Sequence, residues 1–213
     1  MGIYDAIVIP EELKDVTLPS PEEITYWESR QERIFWIDYE IDEAYQLIEL
    51  GKIITLLNHK EKDIPVEELK PIILLIYSYG GDTDQCRFLC DLIQSSRIPI
   101  ITIATGVAMS AGFYIFLAGH RRYAFKHSQL LIHSGSASFS GTASEIEEAQ
   151  NNYKKELEEW KGYVLTNTSI SEKLFKKNQQ KDWYVSGREL VDLGIITKFI
   201  NKFDDIYEKT EVS

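Results

Sequence analysis

At 213 residues the chain is long enough for one sizeable domain and short for two, and its 44% hydrophobic and 27% charged residues are ordinary globular values. A formal net charge of −11 argues against a nucleic-acid binder, whose electrostatic footprint is basic. The two cysteines, Cys86 and Cys90, stand four apart on a predicted helix. They are expected to share a face as small apolar residues, with no disulfide, in a reducing cytoplasmic setting.

The N-terminus, M-G-I-Y-D-A-I-V-I-P, lacks the basic start and apolar core of a signal peptide. Ala6 stands where a myristoylated chain carries Ser or Thr. Residues 1–26 are acidic and marked by Pro10, Pro19 and Pro21, and read as a partly extended arm. Residues 33–38, R-I-F-W-I-D, read as a short strand. Residues 42–58 place Ala44, Leu47, Ile48, Ile54 and Leu57 at helical spacing behind a candidate cap, Asp42. After a charged loop, P-I-I-L-L-I-Y at 71–77 is a continuous apolar strand of the kind buried on both faces. Ser78-Tyr79-Gly80-Gly81 is a turn and residues 83–95 a helix.

The uncharged stretch at 99–119 sits at the centre of the chain. It opens as an Ile/Thr-rich strand, breaks at Gly106 near Ser110, and resumes as a buried helix through Phe113, Tyr114, Ile115, Phe116 and Leu117. Its length would allow a membrane span, but Pro99, Gly106 and Gly112 interrupt it, so it reads as a soluble core. Two short strands follow, around 123–125 and 129–133. S-G-S-A-S-F-S-G at 134–141 is a flexible loop or an exposed strand. Thr142-Ala-Ser-Glu145 is a capping-box pattern. Behind it Ile146, Ala149, Tyr153, Leu157, Trp160 and Val164 form one stripe on a helix that would extend roughly 34 Å at 1.5 Å per residue. The stripe could face a partner or its own core. A short helix, Gly194 as its cap and a last strand at 195–200 end the domain, which spans 27–203, with a tail at 204–213. Strand, Gly-rich turn, helix, strand and turn recur as βαβ units around a mostly parallel sheet.

In such a sheet ligands bind beyond the carboxyl ends of the strands, and two turns fall there: Gly80-Gly81 and Met109-Ser110-Ala111. Gly81 and Ala111 can offer N–H groups to a developing oxyanion. No Lys-Ser/Thr follows the glycine pair, so it is not a nucleotide P-loop. Ser110 lies between strand and helix, as a nucleophile or merely as a small residue at a tight crossing. Of the four histidines, His59, His120 and His127 stand among charged or polar residues and read as solvated. His133 ends an apolar strand, either as a base or as a hydrogen-bonded strand end.

These residues resemble a family, the Clp protease proteolytic subunit. I-Y-S-Y-G-G at 76–81 is similar to that family's I-N-S-P-G-G, and G-V-A-M-S-A-G-F at 106–113 to its G-x-A-A-S-M-G. L-I-H at 131–133 is similar to its M-I-H, G-T-A-S-E-I-E at 141–147 to its G-Q-A-T-D-I-E, and K-D-W-Y-V-S-G at 181–187 to its R-D-x-F-L-S-A. The resemblance covers about residues 27–201. It implies a crotonase-like α/β spiral of βαβ units with a protruding handle helix at about 142–167. It implies a serine endopeptidase acting on unfolded polypeptides, homo-oligomeric in stacked rings and fed by an AAA+ unfoldase, with no cofactor, metal, nucleic acid or membrane. Ser110 would be the nucleophile, His133 its base, and Gly81 and Ala111 the oxyanion donors. The third member falls on Asn178, taken as four residues before the R-D-x-F aspartate. Asn can orient an imidazole but lacks the charge that stabilises imidazolium. Asp182 is the next candidate only should Asn178 lie outside the site. Other departures are Tyr79 for a proline and His133-Ser134-Gly135 for H-Q-P. An inactive ring-forming scaffold and a crotonase-type acyl-CoA enzyme are the rival readings.

Overall fold

The computed structural model describes residues 19–42 and 44–206. The first 18 residues of the expected arm and residues 207–213 of the expected tail lie outside the described residues. The chain divides into two units, residues 1–34 and 35–213. In the first, α1 spans Pro21–Gln31, where the sequence reading has an extended arm. The helix begins on a capping box. Ser20 Oγ accepts from Glu23 N–H at 3.1 Å and Glu23 Oε2 accepts from Ser20 N–H at 2.7 Å. Pro21 occupies the first helical position, where its missing N–H has no partner to lose. Of the prolines that suggest extension, Pro21 therefore marks a helix start.

The remaining elements are β1 (Ile34–Ile37), α2 (Ala44–Lys60), β2 (Ile72–Ser78), α3 (Thr83–Ser95), β3 (Ile100–Met109), α4 (Ala111–Ala118), β4 (Arg121–Phe125), β5 (Gln129–Ile132), α5 (Ala143–Asn167), α6 (Glu172–Asn178), β6 (Trp183–Ser186), α7 (Glu189–Asp192) and β7 (Lys198–Ile200), in the expected order except that the sequence reading has no counterpart for α6 and β6. The sheet runs β1-β2-β3-β4-β7, and β5 leaves that path to pair with β3 and β6. The ladders β2/β3, β3/β4, β3/β5 and β4/β7 are parallel, and β5/β6 is antiparallel.

β3 does not break at Gly106 as expected but continues to Met109. Its first half pairs with β4 through Ile101 to Ala104, and its last three residues, Val107 to Met109, pair with β5. Between them the strand bulges, since Ile76 faces Ala104 while Ser78 faces Ala108. The bulge bends the sheet away from β4 and towards β5.

α4 is buried at all eight residues. It packs against α3, which turns Cys86, Leu89, Cys90 and Ile93 inward, and against α5 and the sheet. Its apolar sequence thus makes a core helix. Cys86 and Cys90 are free thiols with their Sγ atoms 3.8 Å apart. The α5 stripe is split. Trp160 and Val164 are buried in their own domain, while Ile146, Ala149, Tyr153 and Leu157 are half-buried. Residues 134–141 form an exposed irregular loop with no strand.

His120 joins β3 to the end of α4. Its Nδ1 accepts the Ile100 N–H at 2.9 Å. Partial burial pushes its pKa below the usual imidazole value, opposed by a hydrogen bond to the Gln94 carbonyl. Only the neutral ring can accept from Ile100, so the unfolded chain binds the proton more readily. The stability supplied by His120 is therefore complete above about pH 6.5 and lost as pH falls below that value. The urea midpoint of wild type should decline from pH 6.5 to 5.5 more steeply than that of His120→Asn, whose amide oxygen accepts without titrating. Equal slopes would show that the ring does not matter to the pH response.

Candidate active site

The sheet register assembles the site. Met109, the last residue of β3, faces Leu131 of β5, and the Ser110 N–H donates to the Leu131 carbonyl at 3.1 Å. Ser110 and His133 therefore leave neighbouring parallel strands at the same end. β5 pairs antiparallel with β6, Ile132 opposite Trp183, so the next position outward sets His133 beside Asp182. Their side chains meet: His133 Nδ1 lies 3.4 Å from Asp182 Oδ1.

Ser110 has φ 53 and ψ −124, a left-handed conformation that side chains with a Cβ avoid and that clusters at functional sites. It is the N-cap of α4 but makes no side-chain capping bond, so its hydroxyl is not committed to the helix. Its backbone is held at both ends, because its carbonyl accepts from Phe113 and Tyr114 N–H at 2.9 and 3.2 Å. His133 is 25% exposed at its side chain. Its Nε2 is buried and meets no hydrogen-bond partner among the described residues.

Ser110, His133 and Gly81 line one cavity of about 420 Å³, walled by Tyr114, Tyr153 and Trp160. Tyr114 stacks on Trp160 at 4.1 Å. Burial, above all, pushes both tyrosine hydroxyls above their ordinary range, with Cys86 adding at Tyr114 and Glu156 at Tyr153. They therefore remain protonated donors. Tyr114 OH reaches the His133 carbonyl at 3.5 Å, and Tyr153 OH the Ser134 carbonyl at 2.7 Å.

The glycine turn closes on the serine turn. Gly80, with φ 105, backs so tightly onto Ser110 that a Cβ there would lie 2.6 Å from the serine Cβ and 3.0 Å from Ala111 N. A bridge to Ile41 fixes the turn from the other side. Gly80 O accepts from Ile41 N–H at 2.8 Å, and Asp82 N–H donates to Ile41 O at 2.5 Å. That bridge leaves the Gly81 N–H outside its pairing. The Ala111 N–H is one of the orphan donors of a first helical turn. The Ala111 carbonyl in turn accepts from the Cys86 thiol at 3.3 Å.

Asn178 is not brought to the imidazole. It is the last residue of α6, and its Nδ2 donates back to the Leu174 carbonyl at 3.0 Å, one turn up its own helix. The carboxylate of Asp182 stands at His133 Nδ1 instead. A sequence signal for this exists. Asp182 immediately precedes the short strand Trp183–Ser186, and an antiparallel pairing of that strand with the one ending at His133 puts the two side by side. Tyr153 reads in the sequence only as part of an apolar stripe. Its hydroxyl contact to the loop after His133 follows from tertiary packing.

Two turns beyond parallel strand ends, an uncommitted serine and an imidazole beside a carboxylate thus stand together at one end of the sheet. The model of the Clp protease family matches residues 26–203, and the chain belongs to that family. It is 32% identical over 142 residues to the ATP-dependent Clp protease proteolytic subunit 2 of Treponema denticola, which spans 66% of this chain and 71% of the relative. It is 30% identical over 144 residues to the ATP-dependent Clp protease proteolytic subunit 1 of Protochlamydia amoebophila, spanning 64% and 68%. Among solved structures, an asparagine-to-aspartate mutant of ClpP1 from Listeria monocytogenes matches with a TM-score of 0.72 over 84% of this chain and 98% of that one, at 23% identity. That likeness concerns the fold, and the crotonase-like, ClpP-type α/β architecture expected from the motifs is the one present. Among the described residues no helix is long and apolar enough to cross a membrane. No group of three or more His, Cys, Asp or Glu side chains among them could hold a metal ion.

Proposed function

We propose that the chain is a serine endopeptidase subunit acting through Ser110, His133 and Asp182. The observation that carries this reading is the β3–β5–β6 register, which sets the three residues next to the matching ends of three successively paired strands. Ser110 Oγ attacks the scissile carbonyl while His133 Nε2 takes its proton. Asp182 holds Nδ1–H, fixes the tautomer and stabilises the imidazolium that forms. The N–H groups of Gly81 and Ala111 receive the oxyanion. As the tetrahedral intermediate collapses, the C–N bond breaks and His133 gives the proton to the leaving amine. The acyl-enzyme is then hydrolysed by water, with the now neutral His133 as base again. The assembly goes with the family: stacked homo-oligomeric rings in the cytoplasm, supplied with unfolded polypeptide by an AAA+ ATPase.

One observation favours the rival scaffold reading. The His133–Asp182 separation of 3.4 Å exceeds the roughly 2.7–2.9 Å of a charge-assisted bond. A fluorophosphonate probe decides the matter. It should label wild type at Ser110 and leave Ser110→Ala unlabelled. Labelling of both proteins, or of neither, would overturn the peptidase assignment.

A further inference from the structure

The loop that follows His133 departs from the family motif at two adjacent positions, and the structure gives the departures a joint use. Gly135 has φ 72, which a proline, locked near −65°, cannot adopt. Turned this way, the backbone presents both polar groups of Ser134 to neighbouring segments. The Ser134 hydroxyl donates to the Gln179 carbonyl at 2.6 Å, and the Ser134 carbonyl accepts from Tyr153 OH at 2.7 Å. Gln179 lies three residues before Asp182, in the turn between α6 and β6. Ser134 thus ties the residue after the imidazole to the segment that brings the carboxylate. Tyr153 ties the same residue to α5.

We propose that Ser134 is a positioning residue that sets the spacing between His133 and Asp182 through its bond to Gln179. The proposal rests on the catalytic reading of Ser110, His133 and Asp182. Asp182 is itself exposed, its side chain 63% accessible. Its approach to Nδ1 depends on how the 179–182 turn is held, so the Ser134 hydroxyl acts at the point of control. An imidazole and a carboxylate displaced by even 1 Å lose much of their catalytic advantage. Ser134 also lines the cavity, but its hydroxyl is engaged with the Gln179 carbonyl, so the effect is expected on turnover more than on affinity.

The test uses the full-length assembled protein with a fluorogenic unstructured peptide. Ser134→Ala should lower kcat about tenfold with KM within twofold of wild type, and Ser134→Thr, which keeps the hydroxyl, should recover most of the loss. In a double-mutant cycle, Ser134→Ala placed on Asp182→Asn should cause little further loss, because the serine acts through the carboxylate. An unchanged kcat in Ser134→Ala, equal losses in the Ala and Thr variants, or full additivity with Asp182→Asn would each overturn the proposal. The catalytic reading beneath it fails separately, through wild-type activity retained in Ser110→Ala.

Discussion

Asp182→Asn should lower kcat by about 10⁴-fold with KM little changed, whereas Asn178→Ala should stay within a few-fold of wild type. The first effect follows from what stands at His133 Nδ1. A carboxylate there accepts the Nδ1 proton and leaves Nε2 free to receive the serine proton. An amide can present its NH₂ instead, which selects the wrong tautomer, and it offers no charge to the imidazolium. The second follows from the Asn178 amide, which is engaged with the Leu174 carbonyl on its own helix. Steady-state kinetics on an unstructured peptide, with assembly checked by light scattering, measure both. A large loss in Asn178→Ala with Asp182→Asn unaffected would return the third catalytic role to Asn178.

Gly81→Ala should abolish measurable turnover and lower stability by about 3 kcal/mol, the upper end for a backbone forced into a sparsely populated region. Gly81 has φ 146, and a Cβ built there would lie 2.1 Å from the Ile41 carbonyl oxygen. That neighbour is backbone, held in a bridge on both sides, and cannot move aside as a side-chain tip could. The turn must open, which displaces the Gly81 N–H from its proposed oxyanion role. Loss of one oxyanion donor alone costs about 10²–10³ in kcat, and the displaced turn also unseats Gly80 from Ser110. Thermal unfolding and fluorophosphonate labelling report the two effects. An Ala variant with unchanged midpoint and labelling rate would mean that the turn relaxes freely.

Much of this site is legible before folding. Ser110, His133 and the Gly80-Gly81 turn stand at the ends of apolar runs, where a parallel sheet gathers its functional residues. The proposed third member is harder to read. Asn178 and Asp182 are four residues apart in a polar segment with no apolar periodicity. What separates them is that α6 ends at Asn178 and β6 begins at Trp183, a boundary that local pattern places only to within a few residues. β3 was also hard to end by pattern, because Gly106 looks like a stop. The pairing with β5 extends the strand past it, a tertiary override of local propensity. α1 shows the reverse, since its capping box is written in the sequence and outweighs the prolines around it.

The pairing of β5 with β6 makes residues 134–181, in effect, the loop of one β-hairpin. The imidazole sits where the excursion leaves the sheet and the carboxylate where it returns. Everything between them, α5 included, is an insert whose ends are clamped by four paired positions, Gln129 to Ile132 against Ser186 to Trp183. Loop closure grows only logarithmically with length, about 0.6 kcal/mol per doubling. The part of the insert that neither packs on the core, as Trp160, Val164, Ile170 and Phe175 do, nor carries the Ser134–Gln179 tie can therefore be lengthened or resurfaced without moving the two residues at its base. Such a chain can diversify the surface it offers to other subunits while its chemistry stays in place, and grafted helices of other lengths should be tolerated at the tip of α5 before they are tolerated near Ser134.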